Sequence, residues 1–387
     1  MKKKKKLFTL IVLGLLTFNA FPQSCLPEGI TFSNQNQIDS FQQNYPGCIE
    51  IEGNVRISAF GPLTNLNGLS VLKSIGGYFE VYNNNSLTNL EGLNNLTFIS
   101  GYFEIHENDN LVNLSGLDSL SYIGDYFQIY DNGNLTNLIG LENLDSIGGY
   151  FNIFYNFELI SLNGLENLTS ISSHLAIGAN IILYSLEGLD NLTSIGNGLH
   201  IGSNYSLINL NGIENLNSIG GELQIGYNYA LNYISSLENI IPSSIQGLLI
   251  EKNYELSTCE IQSICDYLAN PNGSVEIQNN AVGCNSREQV EEACLVSIPL
   301  NINFVDFKNS PNPFTTSTTF DYLISTPTQV TLSIFNSFGE LVHQVKEQQQ
   351  LGTQSVKWDA EGLPAGVYFY QLEFAEQMVT GKLVLMR

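Results

Sequence analysis

Residues 78–101 read YFEVYNNNSLTNLEGLNNLTFISG, and residues 102–125 begin the phrase again as YFEIHENDNLVNLSGLDSLSYIGD. With each Tyr-Phe written as position 1, copies start at residues 78, 102, 126, 150, 174, 198 and 222 without a gap. Residues 54–77 form an earlier, degenerate copy, and a further phrase begins at Gly247 after a one-residue insertion near Pro242. The apolar positions are 2, 4, 10, 13, 16, 19 and 22, which in the first clear copy are Phe79, Val81, Leu87, Leu90, Leu93, Leu96 and Ile99. Positions 1 to 5 alternate out and in, the period of a half-buried strand, whereas the later apolar residues recur every third residue in a stretch too rich in Asn and Gly for a helix. One such repeat cannot bury its own apolar face, so neighbours must stack over a shared core. The expected fold class is all-β, a right-handed parallel β-helix-like solenoid of about eight 24-residue coils. Coils about 4.8 Å apart make a rod on the order of 40 Å long.

The polar positions are as regular as the apolar ones. Position 15 is Gly in seven copies, from Gly68 to Gly212, which predicts a bend that a Cβ would obstruct. Position 7 is Asn84, Asn108, Asn132, Asn156, Asn180, Asn204, Asn228 and then Asn253, and positions 12 and 18 are also rich in Asn. An Asn amide both donates and accepts, so these columns are expected to bond to one another and to turn backbone, as scaffold. Position 17 is an acidic row, Asp118, Glu142, Glu166, Asp190, Glu214 and Glu238. One carboxylate per coil is too few for a Ca²⁺ site, which takes six to eight oxygens, so this row is expected to be solvated surface.

The ends of the chain differ from its middle. Five lysines, an apolar stretch from Leu7 to Ala20 and then small and polar residues have the order of a secretory signal peptide, residues 1–24. No later stretch is apolar for long enough to cross a membrane. Without the leader, nine Lys and Arg face 37 Asp and Glu, a net charge of −28 that repels nucleic acid and anionic lipid. Six cysteines (Cys25, Cys48, Cys259, Cys265, Cys284 and Cys294) flank the repeats and avoid them, which in an exported chain predicts disulfide-stapled caps of undetermined pairing. The expected layout is an N-terminal cap (25–53), the repeat solenoid (54–253), a cysteine-containing C-terminal cap (254–297), a linker (298–310) and an immunoglobulin-like antiparallel β-sandwich of about seven strands (311–387).

Two resemblances follow from these residues. The spacing L-x-x-I-x-x-x-F-x-I-x-x-N-x-x-L over residues 48–253 resembles a leucine-rich repeat with one added residue, and more closely the receptor L domain, although with a stricter period. That likeness implies architecture and carries over no binding residue. In the tail, Pro311-Asn312-Pro313-Phe314, Asn336-Ser337-Phe338-Gly339, Trp358-Asp359, Leu363-Pro364-Ala365-Gly366-Val367-Tyr368 and Gly381-Lys382 resemble, in order, the type A C-terminal sorting domain of the Bacteroidota type IX secretion system. The resemblance implies that the type IX machinery is a partner through residues 311–387. It also implies that the protein reaches the outer-membrane surface or the medium, with the tail removed on the way.

Chemistry is sparse. The sequence has no GxSxG, HExxH, P-loop or strand-linked GxGxxG. His106, His174 and His200 fall at different positions of different coils and are expected to be surface variation, so no cofactor, metal or catalytic residue is assigned. A lyase acting on acidic sugars would need cations, yet Arg56 and Lys73 are the only Lys or Arg between residues 54 and 246. The candidate ligand face is the outward side of four strands, with aromatic rows at position 1 (Tyr78, Tyr102, Tyr126, Tyr150) and position 5 (Tyr82, His106, Tyr130, Phe154) flanking Glu80, Glu104, Gln128 and Asn152. Exposed rings with interleaved acceptors suit a glycan or a protein, although stacked rings also stabilise neighbouring strands. The expected function is therefore a non-catalytic, adhesin-like binding protein for an unknown extracellular glycan or protein. A carbohydrate-active enzyme and a passive envelope spacer are the alternatives.

Overall fold

A computed structural model describes residues 23–59, 61–297, 308–324, 327–350, 352–374 and 377–386. The signal peptide lies outside them but for its last two residues, as does most of the linker. The chain divides into two compact units between Leu295 and Val296.

In the first unit, each 24-residue phrase contributes one strand to each of two parallel sheets. The larger sheet has eleven strands and the smaller nine, ordered along the chain. Register is exact in the period: Phe79 pairs with Phe103, Phe103 with Phe127, and Phe127 with Phe151. The seven apolar positions point inward, and Phe79, Val81, Leu87, Leu90, Leu93, Leu96 and Ile99 are fully buried. Each such side chain contributes about 1.5–3 kcal/mol relative to exposure, and the burial is available only when a neighbouring coil is present.

Both caps are themselves partial coils. Ile30–Phe32 pairs in parallel with Val55–Ile57, so the larger sheet begins inside the N-terminal cap. At the other end Val275–Gln278 adds the last strand, between helices Gln262–Ala269 and Arg287–Ser297. Disulfides join Cys25 to Cys48, Cys259 to Cys284 and Cys265 to Cys294, with Cα–Cα distances of 5.7, 5.4 and 5.5 Å.

The polar columns hold the turns. The position 7 amides form a buried ladder in which Asn84 Nδ2 donates to Asn108 Oδ1 at 3.2 Å and the Asn84 backbone N–H donates to the same oxygen at 3.1 Å. The ladder runs past the repeats, with Asn253 donating to Asn280 at 3.1 Å. Asn84 Nδ2 also donates to the Tyr82 carbonyl at 2.9 Å, clamping the residue between them, Asn83, in the left-handed region at φ 56°. Every coil from residue 78 onward repeats that conformation at position 6, including Glu107, Tyr155 and Lys252 at φ 53°, 57° and 55°. Such residues cost roughly 1 kcal/mol or more each and persist only where their surroundings impose them.

Position 15 needs glycine for two reasons. Gly140 sits at φ +114°, and a Cβ there would lie 2.1 Å from the Leu114 carbonyl oxygen of the preceding coil. The acidic row is not the idle surface expected of it. Asp118, Glu142, Glu166, Asp190 and Glu214 each accept the N–H of the position 15 glycine two residues earlier, at 2.8–3.0 Å. The carboxylates thus cap a backbone donor that the bend leaves unpaired. Position 18 Asn side chains bond backbone rather than one another, as when Asn143 donates to the Asp118 carbonyl at 2.6 Å.

Among the described residues, the second unit has seven strands in a three-stranded and a four-stranded antiparallel sheet. Trp358, Phe320, Tyr322 and Leu332 are buried in its core. Of the tail's motif residues, Asn312 donates its side-chain amide to the Lys382 carbonyl at 2.7 Å and accepts the Val384 N–H at 3.0 Å, tying the first motif to the last. Tyr368 donates its hydroxyl to the Pro364 carbonyl at 2.8 Å. Pro311 accepts from Thr318 Oγ1 at 2.7 Å, and both Ser310–Pro311 and Asn312–Pro313 peptides are cis. Gly339 and Gly366 occupy positive φ, and Tyr370 fills the space a Cβ would need at Gly381.

Candidate functional face

The outward side of the larger sheet divides into two regions at one coil boundary. From residues 78 to 154 the sequence-predicted rings come together as two columns. Tyr78, Tyr102, Tyr126, Tyr150 and then His174 stack with centroids 4.6–4.8 Å apart. Tyr82, His106 and Tyr130 stack at 5.1 and 4.5 Å. These planes lie within 12° of parallel, so the rings cover one another's π faces and present their edges and hydroxyls. All are half-buried except His106, which is buried.

The polar row between the columns is bonded into the same face. Arg56 donates Nε and Nη2 to Glu80 Oε2, each at 2.6 Å, and its guanidinium lies 5.5 Å from the Tyr82 ring centroid. The bond to Glu80 raises the Arg56 pKa further. Tyr126 is hydrogen-bonded to Glu104, and burial followed by that carboxylate pushes its phenol well up. Burial, with Glu104 second, pushes Tyr130 up to about 12. Gln128 Nε2 donates to the Tyr150 hydroxyl at 2.8 Å, while the buried Asn152 Oδ1 has no partner.

The histidines do not stand apart as expected. His106 Nε2 lies 3.4 Å from Glu80 Oε1, and His174 and His200 stack at 5.9 Å. Position 3 meets position 5 of the next coil in the first pair and position 1 of the preceding coil in the second, which reading each coil separately misses. Burial lowers the pKa of both His174 and His200.

Beyond Phe154 the face drops to a glycine floor. The Phe154 ring lies over Gly178, where a Cβ would sit 2.5 Å from Cε1, whereas at Gly202 a Cβ would meet only the Gly226 carbonyl at 3.3 Å. Two open depressions result. One, of about 350 Å³, is lined by His174, Asn197, His200, Glu222 and Gln246. The other, of about 270 Å³, is lined by Phe154, Tyr155, Gly178, His200 and Gly202, so His200 borders both.

The same coils carry an exposed apolar rim that the sequence reading passed over. Tyr155 is 55% exposed, Tyr233 64%, and Phe157, Ile160, Tyr184 and Ile208 are also exposed. Tyr205, Tyr229 and Tyr254 stack beside them at 4.8 and 5.1 Å. The signal was available: position 8 reads Asn85, Asp109 and Gly133, then Phe157, Ile181, Tyr205, Tyr229 and Tyr254.

Comparison with known families agrees with both architectural expectations. Residues 310–386 match the secretion system C-terminal sorting domain. Such a tail implies the type IX secretion machinery as partner and a cell-surface or extracellular location. Residues 47–116 match the receptor L domain, in agreement with the parallel coils built there. A search of curated proteins finds no match to the chain. Among the described residues, no helix is long and apolar enough to cross a membrane.

Proposed function

We propose that this exported protein is a non-catalytic, adhesin-like recognition module, displayed or released after its leader and tail are removed, and that its outward sheet face binds a protein partner. The observation that carries the reading is the change at one boundary, beyond Phe154. There the ring columns give way to a glycine floor, and an exposed apolar rim runs alongside. A uniform spacer would have no reason to end the position 5 rings at Phe154 and the position 1 column at His174, within one coil of each other. The stacked rings offer edges rather than free faces, which argues against sugar stacking on them. Isoleucines among the tyrosines of the rim suit a protein surface instead. Glu222 is the one carboxylate lining the two depressions described, which does not supply the acid and base pair of a glycosidase.

The test is binding of the mature chain to extracellular-protein and glycan arrays, compared with Gly202→Trp and with Tyr155→Ser/Tyr233→Ser. Gly202→Trp fills the floor at the glycine where a Cβ meets only one atom, the Gly226 carbonyl oxygen at 3.3 Å. Loss of a protein signal in both variants, with unchanged circular dichroism, is the expected result. A signal that survives both, or one found only on glycans, overturns the protein-partner reading.

A further inference from the structure

We propose that Glu80, Glu104 and His106 form a binding site for a first-row divalent cation such as Zn²⁺. These residues come from the adjacent strands Phe79–Tyr82 and Phe103–His106, and their ligating atoms lie within 4.8 Å of one another. The Glu80 Oε1 to His106 Nε2 distance is 3.4 Å, long for a charge-assisted hydrogen bond, which has a usual length of about 2.7–2.9 Å. It fits the edge of a coordination tetrahedron instead, since metal bonds of about 2.0–2.1 Å place neighbouring ligands about 3.4 Å apart.

The imidazole supplies the second argument. His106 is 7% exposed, and its Nδ1 is buried without a hydrogen-bond partner. If Nε2–H donates to Glu80, the lone pair of Nδ1 faces the Glu107 carboxylate 3.5 Å away. With a cation on Nε2 the tautomer reverses and Nδ1 carries the proton, so that a small movement of the exposed Glu107 side chain, 3.5 Å away, completes the carboxylate–histidine–metal arrangement common at metal centres. The remaining contacts suit outer supports. Arg56 holds Glu80 Oε2, so that Oε1 is the oxygen facing His106, and Tyr126 is hydrogen-bonded to Glu104. One nitrogen and two carboxylates suit Zn²⁺ with a fourth, open position, and are too few oxygens for Ca²⁺. Two carboxylates this close repel, and a divalent cation relieves that repulsion in a chain that is already strongly anionic.

The experiment titrates the chelator-treated chain without its leader, residues 25–387, with Zn²⁺ by calorimetry, and with Co²⁺ by visible absorption. Saturation at one ion per chain, with the absorption of tetrahedral Co²⁺, is expected. His106→Gln and Glu104→Gln should each weaken binding at least tenfold, and His343→Gln in the tail should leave it unchanged. Glu107→Gln, at an exposed residue whose loss spares the fold, should weaken it about tenfold by removing the Nδ1 partner. Wild-type binding no tighter than that of His106→Gln, or unaffected by Glu107→Gln, overturns the site.

Discussion

Asn132→Ala should be among the most damaging single changes in the solenoid, although it removes only an amide. Asn132 is fully buried. Its Nδ2 donates to the carbonyls of Ile105 at 3.0 Å and Tyr130 at 3.1 Å, and its Oδ1 accepts the Asn108 backbone N–H at 3.2 Å. Alanine strands that N–H without water, at about 1–3 kcal/mol, and forfeits the two carbonyl bonds at about 1 kcal/mol each. Together the loss is about 3–5 kcal/mol. Asn113→Ala provides the internal comparison. That half-buried side chain accepts only the Ser115 N–H at 3.1 Å, and water replaces it at a cost of about 0.5–1 kcal/mol. Repeat arrays open locally, so amide hydrogen exchange read by mass spectrometry is the suitable assay rather than one global melt. Protection across residues 102–149 should fall about a hundredfold or more in Asn132→Ala and less than tenfold in Asn113→Ala. Asn132→Asp keeps the acceptor but turns an oxygen toward those carbonyls, and should be no better than alanine at neutral pH. If Asn132→Ala loses no more protection than Asn113→Ala, the ladder is a by-product of the repeat and the reasoning fails.

Two further outcomes are expected. His174 and His200 have pKa values lowered by burial, so the unfolded chain binds more protons below the usual histidine value; stability is full above about pH 6.5 and declines as pH falls through the depressed values. The melting temperature of the wild type should therefore drop more between pH 7.5 and 5 than that of His174→Gln/His200→Gln, and equal drops would refute the assignment. Deleting residues 310–386 should hold the protein in the periplasm of a type IX-competent cell, as seen by fractionation, and its continued appearance at the surface would contradict the sorting role.

Most of the scaffold was legible because a strict period converts sequence into space directly. The inward positions, the position 7 ladder, the position 15 glycines and the seven strands of the tail all follow from spacing and turn chemistry. The left-handed position 6 was not legible, since Asn83, Glu107, Tyr155 and Lys252 share no residue preference. In the first four coils from residue 78 onward the amide that follows clamps it, and from Asn83 to Lys252 its N–H donates to the neighbouring coil in most copies. The caps' continuation of the larger sheet was hidden because Ile30–Phe32 and Val275–Gln278 lie where the period is lost. On the functional face, the sequence offered ring stacking as the alternative to ligand binding, and the structure shows that stacking. An aromatic residue repeated every 24 positions meets its own copy before it meets a ligand.

That last point generalises to where function is to be sought in such a chain. Exact register places like side chains on like about 4.8 Å apart, so a column survives only if its residue tolerates itself. Rings stack, amides bond one another, and the position 17 carboxylates each accept a backbone N–H. Position 3 is an outward column that fails this condition. It reads Glu80, Glu104, Gln128, Asn152, Ala176, His200 and Gln224, and no two neighbours after the first pair are alike. The one like pair is two carboxylates, held by Arg56 on one side and His106 on the other. Farther along, His200 borders both depressions of the glycine floor. A column that the repeat does not stabilise by itself is retained for some other reason. Position 3 is where the proposed cation site and the proposed binding face both lie.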